Sequence, residues 1–265
     1  MKQQSLGLGQ STKRTRRREF LGEMERVVPW SDLVALITPY LPKGKRGRPP
    51  FPPEAMLRIH FMQQWFNLSD PAMEDALHDV PLFREFAGLS GWDDRLPDET
   101  TILRFRHVLE KHKLAPQILQ TINDLLQHKG LVHTVRGTAG NVNDVVEGNS
   151  LLHGQETDAW GDAGYQGAHK RPDAAKGVRW NVAMRPGKRK LLDPDCEVGA
   201  WTEQLEVIKA RIRAKVEHPF RVIKRQFRHV KVRYRGLAKN TAQLHTLFAL
   251  SNIWMARRRL MTVGG

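Results

Sequence analysis

The sequence predicts an all-helical region followed by an α/β domain, and three observations carry this prediction. Over the first 130 residues, apolar side chains recur at helical spacing between capping and helix-breaking residues. After Gly130 the pattern changes to short segments typical of strands, before helical spacing returns at residue 201. The chain has 265 residues, of which 40% are hydrophobic, so it is long enough to form one or two hydrophobic cores.

The first 50 residues are predicted to contain a basic arm, a short helix and a linker. Residues 1–25 form the arm, and its run at 13–18 (KRTRRR) suits either contact with a nucleic-acid backbone or simple solvation. Apolar residues between 26 and 41 indicate the short helix. Residues 43–50 (KGKRGRPP) combine positive charge with helix breakers, which is typical of a linker or of an arm that enters the DNA minor groove.

Residues 26–130 are predicted to form a helical domain. A buried helix is expected over residues 53–67. The pair Asp70 and Pro71 indicates the start of the next helix, with Asp70 as its cap and Pro71 at the first helical position. A further short helix ends at Gly88, where glycine can adopt the left-handed conformation that closes a helix.

A longer basic helix is expected from residue 96 to about residue 113, and it carries Arg104. Short helices before a longer basic helix fit a helix-turn-helix-like DNA reader. An ordinary helical bundle with a solvated basic face is the alternative, and the sequence does not decide between the two.

Residues 131–265 are predicted to form the α/β domain. Strands are expected at residues 132–138, 159–165 and 177–184, and helices at residues 201–227 and 240–260.

The charge of the chain is segregated. The formal net charge is +15, with +7 in residues 1–50, +12 in residues 201–265 and −4 in between. Two basic ends suit a polyanionic partner such as DNA, because each cation placed on a phosphate releases a counterion. The alternative is a highly soluble surface with no such partner.

Cysteine usage and hydropathy exclude two classes of protein. Cys196 is the single cysteine, so the chain cannot hold an internal disulfide, and a reducing cytoplasm is expected. No apolar run is long enough to cross a bilayer, and no apolar stretch after the basic start suits a signal peptide.

Two patterns in the second domain carry possible chemistry. Asp162 lies where a strand is predicted to end, which suits either a metal ligand or a turn aspartate that accepts backbone N–H bonds. Glu217 lies four residues after Arg213 and seven before Lys224, which places the three on one helical face. They suit either a metal and phosphate site or a surface salt-bridge ladder. Pro219 allows a helix break near this point.

Four segments together resemble a bacterial insertion-sequence transposase of the DDE superfamily, in the family named for insertion sequence 5. The resemblance runs from about residue 25 to residue 261. In the wider group's pattern Y-x2-R-x3-E-x6-K, Arg213, Glu217 and Lys224 match, and Ala210 stands where the pattern has tyrosine. The segments are residues 68–77 (LSDPAMEDAL), 97–106 (PDETTILRFR), 162–167 (DAGYQG) and 216–227 (VEHPFRVIKRQF).

The resemblance implies a ribonuclease H-like domain with a mixed sheet, in which carboxylates hold two divalent metals, Mg²⁺ or Mn²⁺, for strand cleavage and transfer. Asp162 matches the second carboxylate of that set and Glu217 the third. Lys224 matches the lysine that grips the transposon end in the family, and DNA contacts are also expected for Arg104, Arg213, Arg221 and Arg225. The resemblance further implies a homo-oligomer on transposon ends, in the bacterial cytoplasm and associated with the nucleoid.

The first carboxylate of the family has no match in this chain. Residues 126–131 (LQHKGL) pass directly into the segment 132–135, and the several dozen residues expected between them are missing. The nearest candidates are Asp124, in a helical stretch, and Asp144, which aligns with a later turn, and neither is assigned as the ligand. The resemblance therefore implies a truncated domain with weakened metal binding and impaired cleavage. The alternatives are a non-catalytic DNA-binding inhibitor of its own element and a basic nucleoid protein.

Overall fold

The computed structural model describes residues 14–42, 44, 48–91, 94–126 and 130–263. Its first part is helical, its middle part contains a small sheet, and two long helices follow. The first part contains α1 (Arg16–Val27), α2 (Trp30–Ile37), α3 (Pro53–Phe66), α4 (Asp70–Asp79), α5 (Pro81–Ala87), α6 (Glu99–Lys111) and α7 (Leu114–Leu126). The rest contains α8 (Asp144–Glu147), β1 (Asp158–Gly161), β2 (Arg179–Val182), α9 (Pro186–Arg189), α10 (Glu197–Arg221), a π-helix (Val222–Gln226) and α11 (Leu237–Val263).

Helix α1 corrects the expectation of a flexible arm over residues 1–25. The Thr15 side chain accepts a hydrogen bond from the backbone N–H of Arg18 and caps the helix. Leu21 and Met24 on this helix are fully buried. Their one-turn spacing gives α1 a narrow apolar stripe that packs against α11, so burial holds the charged segment in place. Residues 1–13 lie outside the described residues.

The predicted helix over residues 53–67 is confirmed as α3, which lies at the centre of the helical region. Buried side chains line most of its faces, including those of Leu57, Phe61 and Trp65. The cap of α4 differs from the expectation, because the Ser69 hydroxyl accepts the hydrogen bond from the backbone N–H of Ala72.

Asp70 instead holds α4 against its neighbours. Its carboxylate accepts hydrogen bonds from the Arg106 guanidinium on α6 at 2.8 Å and from the Gln63 side chain on α3 at 2.9 Å. Helix α6 itself begins at Asp98, whose side chain accepts from the backbone N–H of Thr101 at 2.7 Å. Asp70, the residue predicted to cap α4, therefore links α4 to α3 and α6.

The small sheet consists of β1 and β2, which pair in parallel, with Asp158 opposite Arg179 and Gly161 opposite Val182. β2 lies within the predicted segment 177–184, and β1 overlaps the predicted segment 159–165 but begins one residue earlier. Over the described part of the chain these are the only strands, so the expected mixed sheet is not formed there.

Residues 132–138 form neither a helix nor a strand, which corrects the prediction of a strand there. The backbone N–H of Val132 donates to the Asn252 side chain at 3.1 Å, and its carbonyl accepts from the side chains of Asn123 and Asn252. These amides on α7 and α11 satisfy the backbone groups that a neighbouring strand would otherwise bond.

Helix α10 runs unbroken through Pro219 to Arg221 and then widens into the π-helix, so the possible break near Pro219 is absent. Its predicted span is confirmed, as is that of the final helix. Helix α11 packs against α7 and α1, with Leu247, Leu250 and Ile253 buried in the same core as the helical region. The boundary predicted at residue 131 therefore separates α11 from the core to which it belongs.

Candidate active site

A cavity of about 480 Å³ lies between β1 and α10, and both predicted catalytic carboxylates line it. Asp162 follows the last residue of β1, and Glu217 lies near the end of α10. The structure thus brings together two residues that are 55 positions apart in the chain. Other residues that line the cavity include Asp144, Trp160, Tyr165, Trp180, Arg213 and Phe220.

Asp162 is half-buried and closes a turn. Its Oδ1 atom accepts a hydrogen bond from the backbone N–H of Gly164 at 2.8 Å, which caps the short 3-10 helix Ala163–Tyr165. This is the turn role considered for Asp162 from the sequence. The turn occupies one carboxylate oxygen, and a carboxylate has acceptor capacity left for a second contact.

Asp144, a candidate that the sequence raised but did not assign, lies beside Asp162. A Cβ added at Gly164 would lie 2.9 Å from Oδ1 of Asp162 and 3.4 Å from Oδ2 of Asp144, so the two carboxylates face the same point. Burial raises the pKa of Tyr165, and the negative charges of Asp144 and Asp162 raise it further. No local motif marks Asp144 as a site residue. Asp144 and Asp162 lie in separate segments of the chain, and packing between these segments brings Asp144 to the cavity.

Arg213 and Glu217 lie one helical turn apart and both line the cavity, as their spacing predicts. Lys224 does not line it, because it lies on the π-helix, where the wider turn changes the direction of each following side chain. The predicted common face therefore holds for Arg213 and Glu217 only. Arg221, Lys224 and Arg225 are exposed beyond the cavity, and Arg104 is exposed on α6.

The described residues do not provide a ligand set for two metal ions. Across those ranges, no group of three or more His, Cys, Asp or Glu side chains is arranged to hold a metal. Asp144, Asp162 and Glu217 share the cavity without converging on one point. Asp124, the other candidate considered from the sequence, lies on α7, accepts a hydrogen bond from the Gln120 side chain at 2.7 Å and does not line the cavity.

Aromatic side chains form one wall of the cavity. The rings of Tyr165 and Trp180 stack with their centroids 6.1 Å apart. Phe220 packs edge-on against Phe248 of α11, at 5.2 Å between centroids, and so connects the cavity to the main core. The cavity thus combines three carboxylates, one arginine and an apolar wall.

Comparison with known protein families is consistent with this arrangement. Residues 10–108 match a family described as a transposase domain (DUF772), and residues 125–253 match a family described as a transposase DDE domain. The two matches support a transposase of the DDE superfamily, and the DDE domain implies dependence on a divalent metal in general. No solved structure matches the chain. None of the helices in the described ranges has both the length and the apolar character needed to span a membrane.

Proposed function

We propose that this protein is an insertion-sequence transposase of the family named for insertion sequence 5 that binds DNA but cleaves it poorly. The observation that carries the proposal is the cavity in which Asp162 and Glu217 meet without a complete set of metal ligands in the described residues. Activating a hydroxyl and stabilising a leaving oxygen with two metals requires several converging oxygen ligands. Asp144, Asp162 and Glu217 all line the cavity, but Asp162 is engaged in a turn and the three are not arranged to hold a metal, so that set is incomplete in the described residues.

An internal deletion accounts for the missing ligand. A ribonuclease H-like domain has further strands beside the parallel pair, and the first catalytic aspartate lies on one of them. The absence of a strand at residues 132–138 and the two-stranded sheet in the described residues fit the loss of those strands. A two-stranded sheet is marginal without further strands or a covering layer.

The exposed apolar face of α10 also supports a deletion. Val198, Trp201, Leu205 and Ile208 recur at spacings of three and four residues, and they are 72%, 61%, 57% and 47% exposed, respectively. Such a continuous stripe on a soluble helix is normally covered by another element. A sheet of normal size beside α10 would cover it.

DNA binding is proposed to persist. Arg213 lies in the cavity, and Arg221, Lys224 and Arg225 continue from it along the end of α10 and the π-helix. These cations can hold the DNA backbone beside the carboxylates without any metal. We place the protein on transposon ends in the bacterial cytoplasm, as a homo-oligomer.

The test is a comparison of binding and nicking. The purified chain, with Mg²⁺ or Mn²⁺, is expected to bind DNA that carries the element ends and to leave it intact. Inserting the missing segment from an intact relative between residues 130 and 132 should restore nicking. In that restored protein, Asp162→Ala or Glu217→Ala should reduce the rate of nicking by several orders of magnitude, while DNA binding persists. If the unmodified 265-residue chain nicks DNA and Glu217→Ala abolishes that nicking, the proposal of impaired cleavage is wrong.

A second candidate function is inhibition of the parent element. The basic ends, combined with an incomplete ligand set, favour a protein that occupies transposon ends without cutting them. Adding the chain to an intact relative should then reduce nicking in proportion to the number of ends occupied. Undiminished nicking at saturating binding would exclude this role.

A further inference from the structure

A second cavity, of about 420 Å³, lies between the helical region and the segment that follows α10. We call it the arginine groove. Its rim carries Arg16 and Arg17 from α1, together with Arg225 and Arg228 from the far side. Its floor includes the rings of Phe20 and Phe66. The groove thus joins the two basic ends of the chain, which are about 200 residues apart in sequence.

The side chains of the four rim arginines are exposed and available to a ligand. None of them forms an ion pair with a residue in the described ranges, and no acidic side chain of those ranges lines the groove. The neighbouring Arg18 differs, because it pairs with Glu85 at 3.0 Å. Four like charges around one concavity repel each other, and an anionic ligand relieves that repulsion.

The floor is aromatic and partly exposed. Phe66 stacks on the buried ring of Phe83 with centroids 4.9 Å apart, which fixes its orientation. Phe20 meets Phe66 edge-on at 5.8 Å. The Arg17 guanidinium lies 5.9 Å from the centre of the Phe66 ring. The groove therefore offers a rigid π surface directly beside positive charge.

Hydrogen bonds hold the two sides of the groove together. The Asn67 side chain donates to the carbonyl of Arg228 at 3.1 Å. The Arg233 guanidinium donates to the carbonyl of Asn67 at 2.7 Å and to its side-chain oxygen at 2.6 Å, and it also bonds the carbonyl of Leu68. The rim is thus set before any ligand arrives, which lowers the entropy cost of binding.

We propose that the arginine groove binds an unpaired DNA nucleotide, with its base on the Phe20 and Phe66 rings and its flanking phosphates on the arginines. Contact with a duplex backbone needs cations alone, whereas an exposed aromatic floor beside cations suits an unstacked base. Charge excludes the chain's own basic first residues as the occupant.

The position of the groove fits a strand that also reaches the carboxylate cavity. Arg225 lies eight residues after Glu217 along the same helical segment. Eight residues span roughly 12 Å along a helix axis, which corresponds to about three or four steps of a DNA strand. The assignment of that strand to a transposon end rests on the proposed function, but binding of an unpaired nucleotide does not.

The first test compares single-stranded and duplex DNA. Fluorescence anisotropy with the full chain would measure binding of a labelled oligothymidylate and of a duplex of equal length. The variant Phe66→Leu keeps an apolar side chain in the core and removes the π surface, and it is expected to weaken single-strand binding about tenfold with little change for duplex. Arg17→Ala, at an exposed site, should weaken single-strand binding without affecting folding. The matched control is Lys188→Ala, an exposed cation remote from the groove.

The outcomes separate this proposal from the proposed function. Equal losses for single-stranded and duplex DNA in Phe66→Leu would overturn the nucleotide site and leave DNA binding intact. Competition by a polyglutamate peptide as strong as that by oligothymidylate would assign the groove to an acidic peptide and overturn the proposal. Competition by thymidine monophosphate at equal concentration would identify a free nucleotide instead of a strand as the ligand. If the unmodified chain binds neither single-stranded nor duplex DNA, the proposed function itself is contradicted.

Discussion

At the scale of single residues, Arg106 shows how charge is used inside the helical region. Its side chain is only 8% exposed and bridges Asp70 on α4 and Glu110 on α6, each at 2.8 Å. The guanidinium also lies 4.2 Å from the centre of the Tyr234 ring, in the segment before α11. One cation thus connects the helical region to the C-terminal part of the chain.

Replacing this cation should be costly. We expect Arg106→Ala to lower the free energy of unfolding by about 3 kcal/mol, because two largely buried carboxylates would lose their partner. Arg104→Ala is the matched control, since Arg104 is exposed on the same helix and its loss should change stability by less than about 0.5 kcal/mol. Urea unfolding of both variants measures the difference. Equal midpoints would show that the bridge contributes nothing.

His60 makes the stability of the helical region sensitive to acid. It lies in the core, 6% exposed, and burial followed by the nearby Arg106 charge lowers its pKa from 6.5 to about 4. The unfolded chain therefore binds a proton between pH 6.5 and 4 that the folded protein does not. Stability is complete above about pH 6.5 and falls as the pH drops toward 4.

We expect this histidine alone to cost about 2 kcal/mol of stability between pH 7 and pH 5. His60→Gln carries no titratable proton, so its stability should depend less on pH over this range. Urea unfolding of both proteins at pH 7 and pH 5 isolates the effect, since all other titrating groups are common to them. Parallel pH profiles would contradict the lowered pKa.

At the scale of elements, the small sheet and α10 are the weakest part of the structure. Residues 132–138 form neither a helix nor a strand, and α10 exposes its apolar stripe. Few buried contacts and exposed backbone groups are the features of regions that open locally. The helical region together with α11 holds the main core.

Limited proteolysis should therefore cut within residues 139–197 before it cuts α1 to α7. The fragment that contains α11 should remain bound to the helical region after cleavage, because α11 packs against α7 and α1. Mass spectrometry of the early fragments and gel filtration of the products check both statements. Early cleavage inside α3 or α6, with residues 139–197 intact, would contradict this order.

The sequence predicts elements well where the signal is local. Breakers and caps such as Pro81, Gly88 and Asp98 fix the helices around them, and the step from Arg213 to Glu217 places both on one face. Local patterns fail where packing decides. In α1, the many charged residues obscure the pattern of its two buried residues. At the start of segment 132–138, the backbone groups of Val132 bond to the side chains of Asn123 and Asn252 in place of a strand.

The candidate site divides in the same way. Asp162 and Glu217 are found from short motifs, because each lies at a fixed place relative to its own strand or helix. Asp144 is considered from the sequence but not assigned, because its approach to Asp162 depends on how α8 packs against the turn after β1. The arginine groove is missed for the same reason: Arg17 and Arg225 become neighbours only through the docking of α1 and the segment after α10.

At the scale of the whole molecule, folding brings arginines from the two basic ends of the chain to one surface. Arg16 and Arg17 from the first end and Arg225 and Arg228 from the second line the arginine groove together. A polyanion therefore encounters one continuous region of positive electrostatic potential there and not two separate basic patches. This arrangement makes DNA affinity depend on salt more steeply than either end alone.

Binding to duplex DNA should accordingly fall steeply with rising salt, with a log–log slope of about −0.9 for each phosphate contacted. The double variant Arg225→Ala/Arg228→Ala should reduce the magnitude of this slope by about two, because it removes two phosphate contacts. The control Lys188→Ala/Lys190→Ala removes the same charge from exposed positions outside the groove and should leave the slope nearly unchanged. Anisotropy titrations across a salt series measure all three proteins. A flat response in the unmodified chain would remove the electrostatic basis for DNA binding, and equal slopes for both double variants would show that net charge, and not the groove, sets the contact.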